Sequence, residues 1–195
     1  MSEITFDNFY SLDSKTRKEY INNPEVLKQL VKNNVSDHRY LHCLSVAEVC
    51  KKLAIKHSVN PNKAYVAGLL HDCCKFPDEE TSNIQEEYLK YYDPEKLNGM
   101  KKIYHSWVAK YYLKEKLNFH DKDILNAIYN HTVCNSKDKL SIILYIADKR
   151  EPLRNIDDNI LDIAEKDLYR AYDLLKEDVK AYIEEHDGKF VETGL

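Results

Sequence analysis

Residues 63–76 read KAYVAGLLHDCCKF, a run of small and apolar residues in which a histidine and an aspartate, His71 and Asp72, sit side by side. Ala64, Ala67, Leu70 and Cys74 recur at helical spacing; Pro61 suits the first turn of the helix that carries them and Pro77 closes it. A helix this apolar faces a protein interior. An unpaired titratable group costs several kcal/mol there, so something compensates. Either a hydrogen-bond network does so, or a metal ion does, because neutral imidazole and carboxylate are the ligand types of a catalytic divalent site.

The same oddity recurs on both sides of this stretch. His42 lies on the apolar side of a helix beginning near His38, which Asp37 can cap and whose stripe is Leu41, Leu44, Ala47, Leu53 and Ile55. Asp148 ends LSIILYIAD at residues 140–148, a run so apolar that it reads as a central buried helix. A lone histidine on an apolar helix is usually a satisfied core residue. Two histidines and two aspartates that each interrupt apolar helical sequence are explained more economically by one shared metal centre. Two further His-Asp pairs lack that setting. His120–Asp121 lies in the polar NFHDKD, where the aspartate caps a helix and the histidine is exposed; His186–Asp187 lies at a helix end before Gly188.

Elsewhere the chain reads as successive helices. Residues 1–23 form a polar N-terminal appendage with one short helix, and residues 24–195 one domain. A loop at 78–80 leads into a helical stretch reaching Tyr92, and 97–117 form an amphipathic segment around Trp107, Tyr111 and Leu117. Asp121 or Asp123 caps a helix carrying Ala127, Ile128 and His131. Ile160, Ala164, Leu168, Ala171, Leu175, Val179 and Tyr182 trace one face of a single long C-terminal helix. With only 4 Gly and 5 Pro in 195 residues, the tight turns of a β-sandwich or barrel have little to be made from. The expectation is an all-α fold of about eight helices.

Composition narrows the partners. A formal net charge of −4 gives no general attraction for a polyanion, so nucleic acid is not expected. No apolar run approaches the roughly 18 residues of a membrane span, and MSEITFDNFY lacks the order of a signal peptide. Cys43, Cys50, Cys73, Cys74 and Cys134 make no C-x-x-C motif and no even-numbered framework, which suits reduced thiols in the cytoplasm. No Gly-rich phosphate loop occurs, so phosphate chemistry here falls to side chains and metal.

Several blocks also resemble one family in order and spacing. HRYLHCLSVAEVCKKLA (38–54), KAYVAGLLHDCCKF (63–76), AIYNHT (127–132) and ILYIADKREPLR (143–154) are similar to the HD-domain phosphohydrolases, and within them to the YqeK family of bacterial symmetrical dinucleoside tetraphosphate hydrolases. The likeness runs over residues 25–187. It implies an HD-domain helical bundle in which His42, His71, Asp72 and Asp148 hold a divalent metal. Iron is the first expectation, and Mn, Co or Zn also suit such mixed ligands. It further implies a small nucleotide substrate, diadenosine tetraphosphate, cleaved into two ADP, with Asp72, His105 and His131 catalytic.

His105 and His131 fall where related enzymes bind a second metal or meet phosphate; either residue is expected to position the water or protonate the leaving phosphate. Phosphoanhydride cleavage needs positive charge at the phosphate oxygens, for which Lys75 and Arg154 are candidates, with Thr132 and Glu151 beside the substrate. Glu151 either holds Arg154 or is exposed. The chain departs from the family pattern at Val133–Cys134 and at Lys149, which bears on the nucleotide pocket rather than on the ligands. Rival expectations are another HD phosphohydrolase (a nucleotidase or cyclic-nucleotide phosphodiesterase), an HD-type di-iron oxygenase, and a non-enzymatic module whose metal only ties helices together. Exposed aromatics, including Tyr91, Tyr92, Tyr111 and Tyr112, point to a homodimer.

Overall fold

The computed structural model describes residues 11–75, 103, 105–133 and 136–185, and no strand occurs among them. In chain order the α-helices are α1 Ser14–Ile21, α2 Pro24–Lys32, α3 Asp37–Lys56, α4 Pro61–Leu70, α5 His105–Tyr111, α6 Lys122–Asn130, α7 Lys139–Arg150, α8 Ile160–Lys166 and α9 Leu168–Glu185. A π-helical turn, Tyr112–Lys116, follows α5, and a 3-10 turn, Pro152–Arg154, follows α7. The expected all-α architecture is what the chain adopts.

Most of these helices begin where a short polar side chain satisfies the first free N–H groups. Asn23 and Asn60 cap α2 and α4, each followed by a proline whose missing N–H costs nothing at that position. Asp121 caps α6 by accepting from the backbone of Asp123 and Ile124, which decides between the two expected aspartates. For α3 the cap is Ser36 rather than Asp37: the Ser36 hydroxyl accepts from the Arg39 amide at 3.2 Å. Asp37 instead occupies the first turn, where its charge faces the positive end of the helix dipole.

The apolar run of α7 is buried on every side, from Leu140 to Asp148. It forms the axis against which α3, α4, α6, α8 and α9 pack. Helices α3 and α4 approach so closely that a Cβ added at Gly68 would stand 2.7 Å from Ala47 Cα. Only a residue without a side chain permits that contact, and it sets the last turn of α4 against the middle of α3.

Three expectations need correction. The C-terminal helix is two helices, α8 and α9, broken at Asp167, whose extended backbone ends α8 and whose carboxylate accepts from the Arg170 amide. The apolar positions keep helical phase across the break, with Ala164 and Leu168 both buried, so periodicity alone conceals it. The helix through His71 is shorter than its apolar pattern, because regular α4 stops at Leu70 and a tight turn carries 71–74. Tyr112 is fully buried and Tyr111 half-buried, so neither supplies the exposed aromatic surface invoked for a dimer. Tyr91, Tyr92, Pro77 and the helical stretch to Tyr92 lie outside the described residues, as do Cys134 and His186–Asp187. The described cysteines, Cys43, Cys50, Cys73 and Cys74, are free and buried.

Candidate metal centre

Five helices bring their termini or inner faces to one buried point. Helix α3 contributes His42 from its inner face, the turn after α4 contributes His71 and Asp72, and α5 opens with His105. His131 follows the last residue of α6, and Asp148 stands in the last turn of α7. All six are buried, His71 completely. His120, by contrast, is exposed beside its capping aspartate and takes no part.

Asp72 divides the cluster in two. Its Oδ2 lies 3.6 Å from His71 Nε2 and 3.8 Å from His42 Nε2. Those two imidazoles also face Asp148 Oδ1, at 3.2 Å from His42 and 3.6 Å from His71. The other oxygen, Oδ1, lies 3.1 Å from His105 Nε2 and 3.6 Å from His131 Nε2, and these two nitrogens are 3.2 Å apart. His42, His71 and Asp148 present ligand atoms within 4.8 Å of one another, as do His71, Asp72 and His131.

Backbone and side-chain acceptors set the tautomers. His71 Nδ1 is 2.6 Å from the Gly68 carbonyl and His131 Nδ1 is 2.7 Å from the Ile128 carbonyl. A carbonyl only accepts, so both Nδ1 atoms donate and both Nε2 atoms turn a lone pair to the centre. His42 Nδ1 is held in the same way by Glu151 Oε1 at 3.0 Å. The buried Nε2 atoms of His42 and His71 make no hydrogen bond. Two orphaned lone pairs beside two carboxylates are costly as they stand. The set of imidazole nitrogens and carboxylate oxygens, with outer acceptors orienting the rings, fits a divalent cation.

Electrostatics agree with that fit. Burial drives His131 down to about 4, with His71 and His105 repelling its charged form, so the ring is neutral at neutral pH. Burial also presses His71 down, but Asp72 and Asp148 outweigh it and leave its pKa raised: two carboxylates draw a cation to Nε2, a proton when no metal competes for the same lone pair. For Asp72 burial favours the neutral acid, yet His71, His105 and His131 overcome it and hold the carboxylate well below its ordinary range. Asp148 behaves alike, with Lys149, His42 and His71 outweighing burial. Burial keeps Cys43 and Cys50 as thiols, and the neighbouring Cys74 thiol, with burial, does the same for Cys73, far from the thiolate form that binds metal.

Cations ring the two carboxylates. Lys75 Nζ is 3.7 Å from Asp72 Oδ2 and Arg154 Nη2 is 3.0 Å from Asp148 Oδ1, where sequence reasoning expected positive charge. Two more were missed: Arg39, at 2.7 Å from Asp72 Oδ2, and Lys149, at 3.1 Å from Asp148 Oδ2. The signal for Arg39 was its place one helical turn before His42. Glu151 neither holds Arg154 nor lies exposed. It is 2% exposed, and its carboxylate accepts from His42 Nδ1 and the Leu153 amide. Three residues past Asp148, it is drawn inward because the chain leaves α7 there. Thr132 is engaged structurally: its hydroxyl is 3.0 Å from that of Ser106, and both reach the Ile103 carbonyl, tying α5 to the end of α6.

Residues 39–153 match the HD domain family, and that span holds every one of the six clustered residues. The chain is 37% identical over 164 residues to a "Probable nicotinate-nucleotide adenylyltransferase/Ap4A hydrolase" of Mycoplasma genitalium, covering 78% of this chain and 46% of the relative. It thus spans about half the length of the first curated relatives it matches. It is 31% identical over 158 residues to "Bis(5'-nucleosyl)-tetraphosphatase, symmetrical" of Bacillus subtilis, covering 76% of this chain and 81% of that one. Among solved structures, a predicted HD superfamily hydrolase involved in NAD metabolism from Clostridium acetobutylicum superposes with a TM-score of 0.74. Identity is 26%, and 92% of each chain is covered.

Proposed function

Because the chain belongs to the HD-domain family, among its YqeK-type hydrolases, we propose that it hydrolyses diadenosine tetraphosphate symmetrically to two ADP at a divalent-metal centre. One observation carries the chemistry: His42, His71, Asp72 and Asp148 meet at a single buried point with the two histidine Nε2 lone pairs unmatched. The symmetry and the substrate are supported by the relatives' names, not by the ligand geometry. A bound divalent ion supplies Lewis-acid polarisation of a phosphoryl oxygen and acidifies water; iron is our first choice, with Mn, Co and Zn compatible with the same donors.

The remaining work falls to side chains. We assign Arg39, Lys149 and Arg154, with Lys75 at the rim, to the phosphate oxygens, whose charge they offset as it spreads during the displacement. Four cations over two carboxylates favour an anionic substrate over the substrate of an oxygenase. Asp72 offers one oxygen to each half of the cluster, which supports a second cation, or the substrate phosphate, beside His105 and His131. His131, neutral and with its one N–H committed to Ile128, accepts at Nε2 but does not donate. Donation of a proton to the leaving phosphate is therefore assigned to His105. Glu151 holds His42 rather than the substrate.

Incubation with diadenosine tetraphosphate and Fe(II) or Mn(II), followed by chromatography of the nucleotides, tests this. ADP should be the sole early product, and Asp72→Ala should abolish it. ATP with AMP would overturn the symmetry. No turnover by protein with metal verified as bound would overturn the tetraphosphate assignment.

A further inference from the structure

At the opposite ends of the helices that carry the metal centre lies a groove of about 840 Å³, where α4, α6 and α7 begin. Those helices are 10, 9 and 12 residues long. At a rise of about 1.5 Å per residue the starts of these helices stand roughly 14–18 Å from the residues at their other ends (His71 and Asp72, His131, and Asp148), while Lys110, five residues along α5, stands roughly 8 Å from His105. In a chain of net charge −4, the groove carries Lys63, Lys110, Lys114, Lys122 and Lys139 against only Asp123 and Asp138.

Both acids are already committed. Asp123 and Asp121 both bind Lys63 Nζ, at 2.5 and 3.0 Å, and Glu115 pairs with Lys114 Nζ at 2.7 Å, so among the described residues the groove's unpaired charge rests on Lys110, Lys122 and Lys139. Asp138 caps α7 by accepting from the Ser141 amide at 2.9 Å. Asn60, Asp121 and Asp138 also occupy the helix N-termini, so the field of the groove comes from the lysines. Among the described residues Lys110, Lys122 and Lys139 form no ion pair; Lys139 donates to the His57 carbonyl and Lys110 lies 4.4 Å over the Tyr129 ring. Burial, reinforced by the neighbouring charge of Lys114, lowers the pKa of Lys110, so the charges crowd one another. A multivalent anion relieves that repulsion, and several ammonium groups along one groove match a chain of phosphates better than a single one.

We propose that this groove is a second anion site, separate from the metal centre, that takes the phosphate chain of an oligophosphate, inorganic or nucleotide-borne. It stands whether or not the metal centre cleaves diadenosine tetraphosphate.

Isothermal titration of tripolyphosphate into the full chain, at a fixed free Mn(II) concentration, tests it. Wild type should take up one more equivalent than Lys110→Gln/Lys114→Gln, and that equivalent should weaken as salt rises. Lys122→Gln/Lys139→Gln, both at exposed positions, should weaken it at least tenfold and guards against misfolding of the first pair. Competition with ADP separates the sources: displacement at lower concentration than tripolyphosphate identifies a nucleotide chain, and failure at tenfold excess an inorganic one. Equal stoichiometry and affinity in wild type and both variants would overturn the site, as would the absence of this equivalent at millimolar ligand.

Discussion

Gly68→Ala sets two effects of opposite sign against each other. Alanine is the better helix former, and in a helix interior the exchange gains about 0.5–1 kcal/mol. Against it stands the contact with α3: the new Cβ would lie 2.7 Å from Ala47 Cα and 2.9 Å from Ala47 N, with the Val46 carbonyl carbon at 3.1 Å. These are backbone atoms, and carbon pairs rest at about 3.5–4.0 Å, so α3 and α4 must part by close to 1 Å. Such overpacking costs about 1–3 kcal/mol in a close-packed core. The clash wins, and the net loss is about 1–2 kcal/mol, or roughly 2–8 °C in Tm for a chain of this size.

The site should feel the same movement. Gly68 carries the carbonyl that orients His71, and Ala47 lies just over one turn beyond His42, so separating the helices pulls the two imidazoles apart. Calorimetric melting of the metal-free variant measures the first effect, and a metal-binding titration the second. A Tm at or above that of wild type would refute the close-approach argument. A lowered Tm with unchanged metal affinity would refute the coupling of this contact to the centre.

Other consequences are as direct. Glu151→Ala removes the acceptor that fixes the His42 tautomer and should weaken metal binding 10–100-fold, whereas Glu151→Gln, which keeps an acceptor oxygen, should lose less; identical losses in the two titrations would argue against this role. Burial holds the pKa of His131 at about 4 against an ordinary 6.5, so the unfolded chain takes up this proton first as pH falls. Stability present above pH 6.5 should therefore decline towards pH 4, by about 3 kcal/mol from this group. Urea melts of metal-free wild type at pH 7.5 and 4.5 should show it, and His131→Asn should lose that part of the dependence. Metal at a hundredfold excess over its Kd should stabilise the fold by about 2.7 kcal/mol, a rise of roughly 5–10 °C in Tm that chelation reverses. A Tm indifferent to metal in wild type, or equally responsive in His42→Ala, would remove His42 from the ligand set.

The local sequence determined much of this protein. Helical phase, proline and the capping residues mark α2, α4, α6 and α7 because each of those signals acts within a few residues. The candidate ligands were legible for a related reason: His42, His71, Asp72 and Asp148 stand out as polar groups in apolar helical runs, where burial penalises them without a partner. What they meet is a matter of packing. Arg39 reaches Asp72 across 33 residues and Glu151 reaches His42 across 109. No local pattern reports such distances, so the rim cation and the orienting carboxylate were found only in three dimensions. The break at Asp167 escaped for the opposite reason: the apolar phase continues through it, and only the backbone turn distinguishes two helices from one. Sequence periodicity records which side of an element is buried; the tertiary structure decides which buried groups touch, because that depends on how the helices cross.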